Sequence, residues 1–149
     1  HLTIKQNIIL PLKKDISSDT LDLLEELIEI FEMKEFINRH PNEVSLGQRQ
    51  RAALARAIIL KPSYLLLDEI TSSLDVEHIA KLLEYLQKLR DNGVSILIIS
   101  HLIGFAKSVA NQVIFLDKGE IKERGSASVL SNPRSERLKK FLKLVEFGS

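Results

Sequence analysis

A short apolar run, Tyr64-Leu65-Leu66-Leu67, that ends abruptly in the adjacent acids Asp68-Glu69 constrains this chain more than any other segment. The run has the length and branching of a buried strand. Such a strand closing on two carboxylates is costly unless something positive, usually Mg²⁺, sits at its tip. Ligands in open α/β sheets bind at the carboxyl ends of the strands. Asp68 is therefore the candidate to hold Mg²⁺ through water, and Glu69 the candidate to orient and deprotonate an attacking water. A strand that merely exits into solvent would also welcome acids, so the neighbours have to decide.

Upstream of that run lies Val44-Ser45-Leu46-Gly47-Gln48-Arg49-Gln50-Arg51, opening an Ala-rich helix predicted over about 48–60. Gly47 lets backbone approach a ligand closely, and the helix's positive end with the Ser45 hydroxyl suits a terminal phosphate. The plainer reading is a serine N-cap. Downstream, Ser73-Leu74-Asp75 precedes an amphipathic helix predicted from about Val76 to Arg90, with Ile79, Leu82, Leu83, Leu86 and Leu89 on one face. Asn92-Gly93 ends it as a left-handed cap would.

Val94 to Ile99 reads as a fully apolar strand followed by Ser100-His101, Ile103 to Ala110 as a short helix and Val113 to Leu116 as a strand. Asp117-Lys118-Gly119 makes a tight turn into Glu120 to Arg124. A helical turn starts at Ser126, and Arg134 to Val145 is a basic amphipathic helix. Its Leu138, Phe141, Leu142 and Val145 favour packing on the protein's own core over lipid headgroups. At the other end, residues 1–14 read as an extended or short helical segment broken by Pro11. Asp19 is expected to cap a helix bearing Leu21, Leu24, Ile28 and Phe31, and a short helix is expected around 35–39, before Pro41. Helices alternating with strands imply α/β layering with a largely parallel sheet. The division expected is a helical subdomain over 1–62 and a strand-bearing half over 63–149.

Composition adds exclusions. A formal net charge of +1 gives no global field toward nucleic acid or anionic membrane. Zero cysteines exclude disulfides and thiolate zinc sites. Four scattered histidines make no credible metal site. Ser100-His101 lacks the nucleophile elbow of a hydrolase. Arg49, Arg51 and Arg56 read as solvated or as packing against subunit neighbours. The chain opens mid-pattern at His1-Leu2-Thr3 and closes on Gly148-Ser149, which reads as an excised piece.

In this order, the segments 44–51, 64–69, 73–75 and His101 resemble the signature motif, Walker B strand, D-loop and switch histidine of ABC-transporter ATP-binding subunits. The likeness covers essentially the whole chain. His1-Leu2-Thr3 with Asn7-Ile8, Gly104-Phe105-Ala106-Lys107, Val113 to Gly119, Ser131-Asn132-Pro133, Arg137 and Phe141-Leu142 are similar to the polar amino-acid importers of that superfamily. The resemblance implies a partial P-loop NTPase (RecA-like) core with parallel strands plus an all-helical signature subdomain. It implies ATP and Mg²⁺ as cofactors, with Asp68 at the metal, Glu69 and His101 catalytic, and Ser45, Gly47, Gln48 and Asp75 at ATP. It further implies a head-to-tail homodimer clamping ATP, transmembrane permease partners, and a location on the inner face of the cell membrane.

Three positions depart from that pattern. Leu46 stands where the family has a glycine, so a branched side chain is expected to crowd the phosphate or bar a positive φ. Ile70 replaces a proline and Leu102 an acid. A larger departure is that no Gly-x-x-x-x-Gly-Lys-Ser/Thr loop occurs anywhere in the 149 residues, so the chain alone lacks a cradle for the β- and γ-phosphates. Inactivity of the chain by itself follows as an expectation. So does an assembly in which sheet edges or elements pair between copies, because the family places its P-loop strand beside the strand leading to His101. Two other functions compete: a nonhydrolytic interaction module that lends its signature surface to a partner, and the ATPase of a lipoprotein-release or export system.

Overall fold

Thr3 begins the first helix with a reciprocal cap: its hydroxyl accepts from the Gln6 backbone while the Gln6 side chain accepts from the Thr3 N–H at 2.9 Å. A computed structural model describes residues 2–12 and 16–146. Helix α1 spans Ile4–Ile9 and tightens into a 3₁₀ turn over Leu10–Leu12, at the expected breaker Pro11. The remainder of the expected entry segment, residues 1 and 13–14, lies outside the described residues.

Helix α2 covers Ser18–Ile30. Its N-cap is Ser17, whose carbonyl accepts from the backbone of Thr20 and Leu21, so Asp19 sits inside the first turn and is not the cap. The helix ends in a Schellman arrangement. Met33 N–H donates to Ile28 O and Glu32 N–H to Glu29 O, with Glu32 itself at φ 47° in the left-handed position that usually takes glycine. The expected helix over 35–39 is replaced by turns. The carbonyls of Ile37 and Arg39 are taken by the N–H groups of Lys5 and Ile4, both at 2.8 Å, which ties this segment across to α1.

Helix α3 is Leu46–Ile58 and packs on α1; strand β1 is Tyr64–Asp68; helix α4 is Val76–Asp91; strand β2 is Ser95–Ile99. Gly93 at φ 89° closes α4 in the left-handed conformation expected of Asn92-Gly93. Strands β1 and β2 pair in parallel, Tyr64 opposite Ser95 through Asp68 opposite Ile99. The core below them joins Ile8, Leu27, Met33, Phe36, Ile58, Leu65, Leu67 and Leu82. Each large apolar side chain buried there contributes about 1.5–3 kcal/mol. Phe31 meets Tyr85 edge-on at 5.7 Å.

The parallel pair is covered on one face only. Leu65 and Leu67 are buried, whereas Tyr64 and Leu66 are 77% and 76% exposed and Leu97 and Ile99 56% each. β1 therefore alternates in burial although its sequence does not alternate in polarity.

These elements form one compact unit, residues 1–99; residues 100–149 form another. The second holds α5 (Ile103–Val109), β3 (Val113–Asp117), β4 (Glu120–Gly125), a 3₁₀ turn at Ala127–Leu130 and α6 (Glu136–Glu146). Lys118 and Gly119, at φ 51° and 77°, make the two-residue hairpin turn between β3 and β4. β3 pairs antiparallel with β4 and not with the parallel pair, so the described strands make two two-stranded sheets. Leu138 is fully buried and Phe141 stacks on Phe115 at 5.4 Å, which places the apolar stripe of α6 on its own unit's core. The Glu123 carboxylate accepts the backbone N–H groups of Arg134 and Ser135, both at 2.9 Å, at the mouth of α6.

Candidate functional site

The carboxyl end of β1 leads into a loop, residues 68–75, that carries most of the candidate chemistry. Asp68 is the last strand residue and is exposed. Glu69, half-buried, is held at φ 47°, a left-handed conformation that costs a non-glycine residue of order 1 kcal/mol. Its N–H donates to Ile99 O at 2.9 Å, so the strained peptide is tied to the end of β2. Thr71 is buried with no partner for its hydroxyl oxygen, a second local cost of about 1–3 kcal/mol. Strain and an orphaned buried hydroxyl beside paired acids mark a segment shaped for more than folding.

The loop ends in a cap. Asp75 Oδ1 accepts from the His78 backbone at 2.9 Å and lies 2.7 Å from His78 Nδ1. The His78 amide, then its ring, hold the Asp75 carboxyl below the usual carboxylate range.

Against this loop lies the first turn of α3. Ser45 is its N-cap: the hydroxyl oxygen accepts from Gln48 N–H at 3.2 Å, and Gln48 Oε1 accepts from Ser45 N–H at 2.9 Å. Ser45 and Gln48 thus serve each other, which makes the plain capping role real; the Ser45 proton is still available to donate to an anion. Gly47 faces Ser73 so closely that a Cβ there would stand 2.6 Å from the Ser73 carbonyl oxygen. Gln50 fastens the contact, its Nε2 3.3 Å from Ser72 Oγ and its Oε1 accepting from Ser73 Oγ at 2.5 Å. The structure therefore brings Ser45, Gly47 and Gln48 together with the loop ending at Asp75. Leu46, the first residue of α3, has no positive φ to adopt, and its side chain is 57% exposed. The expected backbone conflict at Leu46 does not arise. Ile70 lines a small cavity with Phe31, Leu54, Leu74 and Leu82.

Arg51 is the residue that sequence reasoning misplaces. It is half-buried, its Nη1 donating to Phe31 O at 2.8 Å and lying 2.6 Å from His78 Nε2, with its guanidinium 5.2 Å from the centre of the Phe36 ring. Burial lowers its pKa. No local pattern in the sequence around Arg51 points to these partners. His101 is exposed at the start of the second unit, where Ser100 Oγ accepts from the Leu102 N–H at 3.1 Å.

The donor chemistry suits magnesium, which is bound through one or two carboxylates, waters and phosphate oxygens rather than a full protein cage. Asp68, exposed at a strand tip, can supply that single carboxylate; among the described residues no cluster of three acidic or histidine ligands occurs.

The family described as ABC transporter matches residues 1–72. Glutamine transport ATP-binding protein GlnQ of Escherichia coli (strain K12) is 40% identical over 149 residues, 97% of this chain and 62% of that protein. The chain is thus similar to ABC transporter ATP-binding domains. Arginine transport ATP-binding protein ArtP of Haemophilus influenzae is 35% identical, across 95% of this chain and 60% of its own length. The chain thus spans about three-fifths of the length of these relatives. Among solved structures, the ADP- and Pi-bound post-hydrolysis dimer of the cassette MJ0796 superposes with a TM-score of 0.75 at 29% identity, over 85% of this chain and 57% of that one. The α/β cassette core and the likeness to amino-acid importer subunits are thereby established.

Proposed function

We propose that this chain is part of an ATP-binding and ATP-hydrolysing subunit that powers an importer of polar amino acids. What carries the reading is the pairing of strong likeness to GlnQ and ArtP with a strained Glu69 at the carboxyl end of β1. Glu69 is the general base for water. His101 contacts the terminal phosphate. The Ser45 hydroxyl and the first turn of α3 receive a phosphate, Gly47 allows the close approach, and Gln48 and Asp75 fix the geometry on either side. Asp68 would hold Mg²⁺, which when bound neutralises phosphate charge. Because the 149 residues contain no Gly-x-x-x-x-Gly-Lys-Ser/Thr loop, hydrolysis is assigned to an assembly in which another segment supplies that cradle, and the chain by itself is inactive.

The partners of this reading are a second ATP-binding subunit and transmembrane permease subunits, with the protein peripheral on the inner face of the membrane. No helix among the described residues is long and apolar enough to cross a bilayer.

The test is steady-state ATP hydrolysis by the complete subunit, wild type against Glu69→Gln. The variant should lose about 10²–10⁴-fold in kcat, the usual contribution of a general base, while retaining nucleotide binding. Equal rates would remove Glu69 from its role. His101→Ala should lower turnover more than nucleotide affinity; equal losses would make His101 structural.

A further inference from the structure

We propose that His78 is a positioning residue for the Asp75 carboxylate, and that its Nε2 works as a proton-operated toggle between Arg51 of α3 and Glu32 beyond α2. The proposal rests on the reading of Asp75 as a nucleotide-site residue.

The geometry leaves little freedom in proton placement. Arg51 Nη1, 2.6 Å from Nε2, is a donor only and keeps its charge. That contact is a hydrogen bond only when Nε2 carries a lone pair. The ring proton then sits on Nδ1 and is donated to Asp75 Oδ1 at 2.7 Å. Glu32 Oε2 waits 3.2 Å from the same Nε2. A neutral ring therefore links the cap of α4 to the signature helix. A second proton on the ring places two cationic donors face to face at Arg51 and gives Glu32 Oε2 a donor beside the Lys81 that already pairs with Oε1.

The charged groups around the ring are Asp75 on its own cap, Arg51 from α3, Glu32 after α2, and Lys81 one turn along α4, which pairs with Glu32. Glu77 lies in the same first turn of α4. Two acids and one half-buried guanidinium thus compete for one imidazole that is 20% exposed.

A second, independent observation supports a dedicated arrangement. Glu32 occupies the left-handed C′ position of α2, where glycine would be easier. From that position its carboxylate reaches both His78 Nε2 and Lys81. Strain is kept where it brings the second arm of the toggle into reach.

Protonation leaves Arg51 with the Phe31 carbonyl and the Phe36 ring but without its link to α4. The Asp75 end keeps its amide and ring donors. Protonation thus removes the link from the first turn of α4 to the signature helix, while the Gly47 and Gln50 contacts with Ser72 and Ser73 and the Asp75 cap remain.

The test uses uniformly ¹⁵N-labelled protein compared at about pH 8 and about pH 5. Long-range ¹H–¹⁵N correlation should show the Nδ1–H tautomer of His78 at the upper end. Where the spectrum shows the ring doubly protonated, rotation of the Arg51 guanidinium should be at least about tenfold quicker, the scale of one charge-assisted hydrogen bond. An Nε2–H tautomer at pH 8, or Arg51 signals indifferent to the titration, overturns the toggle.

The functional arm compares ATP hydrolysis by the complete subunit, wild type against His78→Gln, whose amide carries no titrating proton. Wild type should lose about tenfold more rate than the variant across the interval. Parallel pH profiles overturn the positioning role. A complete wild-type subunit that shows the tautomer and the Arg51 response yet hydrolyses no ATP at any pH supports the toggle and sinks the hydrolytic reading instead.

Discussion

At Glu69 the backbone is bent into a conformation that glycine would adopt without strain. Glu69→Gly is therefore expected to raise the unfolding free energy by about 1 kcal/mol, visible as a higher thermal midpoint, while abolishing hydrolysis. A stability loss instead would show that the side chain's contacts outweigh the bend. Gly47 presents the opposite case. Gly47→Ala puts a methyl 2.6 Å from the Ser73 carbonyl oxygen, and relieving that overlap should cost about 1–3 kcal/mol in a denaturant titration.

Much of this was readable from residues alone. Ser45, Gly47, Asp68, Glu69 and Asp75 stand out because caps, strand ends and close approaches impose their own spacing on a sequence. Arg51 and His78 were not readable. A long cationic side chain and a lone imidazole acquire their roles only from what folds against them, here the Phe31 carbonyl and the Glu32 turn, 20 and 46 positions away in sequence.

Among the elements, those defined by local chemistry match their sequence signals. The hairpin at Lys118-Gly119 and the end of α4 at Gly93 are set by residues that tolerate positive φ. The segment over 35–39 fails as a helix because its carbonyls are claimed by α1, a contact no local pattern encodes. Helix α6 depends on a carboxylate far from it in sequence. Glu123 is held below the usual carboxylate range first by the Arg134 amide and then by the Ser135 amide. Asp117 is lowered chiefly by its hydrogen bond from Arg137. Both folded-state pKa values are depressed, so their stabilisation is fully present above the ordinary carboxylate range. It is lost as pH falls through the folded values. Far-UV circular dichroism should show α6 melting earlier below about pH 4 than at neutral pH. In Glu123→Gln that acid sensitivity should shrink; an unchanged acid profile would remove Glu123 as the α6 anchor.

For the molecule as a whole, the open face of the β1–β2 pair is the dominant feature. Tyr64, Leu66, Leu97 and Ile99 expose side chains of the kind that strands normally bury. Unpaired edges beside an apolar face promote strand addition. Copies of the chain are expected to associate through this face, with a mass above the 16.9 kDa monomer in light scattering at high concentration. Leu66→Lys with Leu97→Lys should return the monomer. A monodisperse wild-type monomer would count against pairing. The covered side of these strands was legible as apolar sequence. Which face would lie open was not, since four consecutive apolar residues carry no alternation to read.

The fit of Gly47 against the Ser73 peptide has a mechanical consequence. There is no slack between the start of α3 and the loop that follows β1, and the Gln50 amide spans both serines at 72 and 73. A push on either segment reaches the other within a fraction of an ångström. Whatever docks at the helix mouth is felt, undamped, by the carboxylate at the far end of that loop.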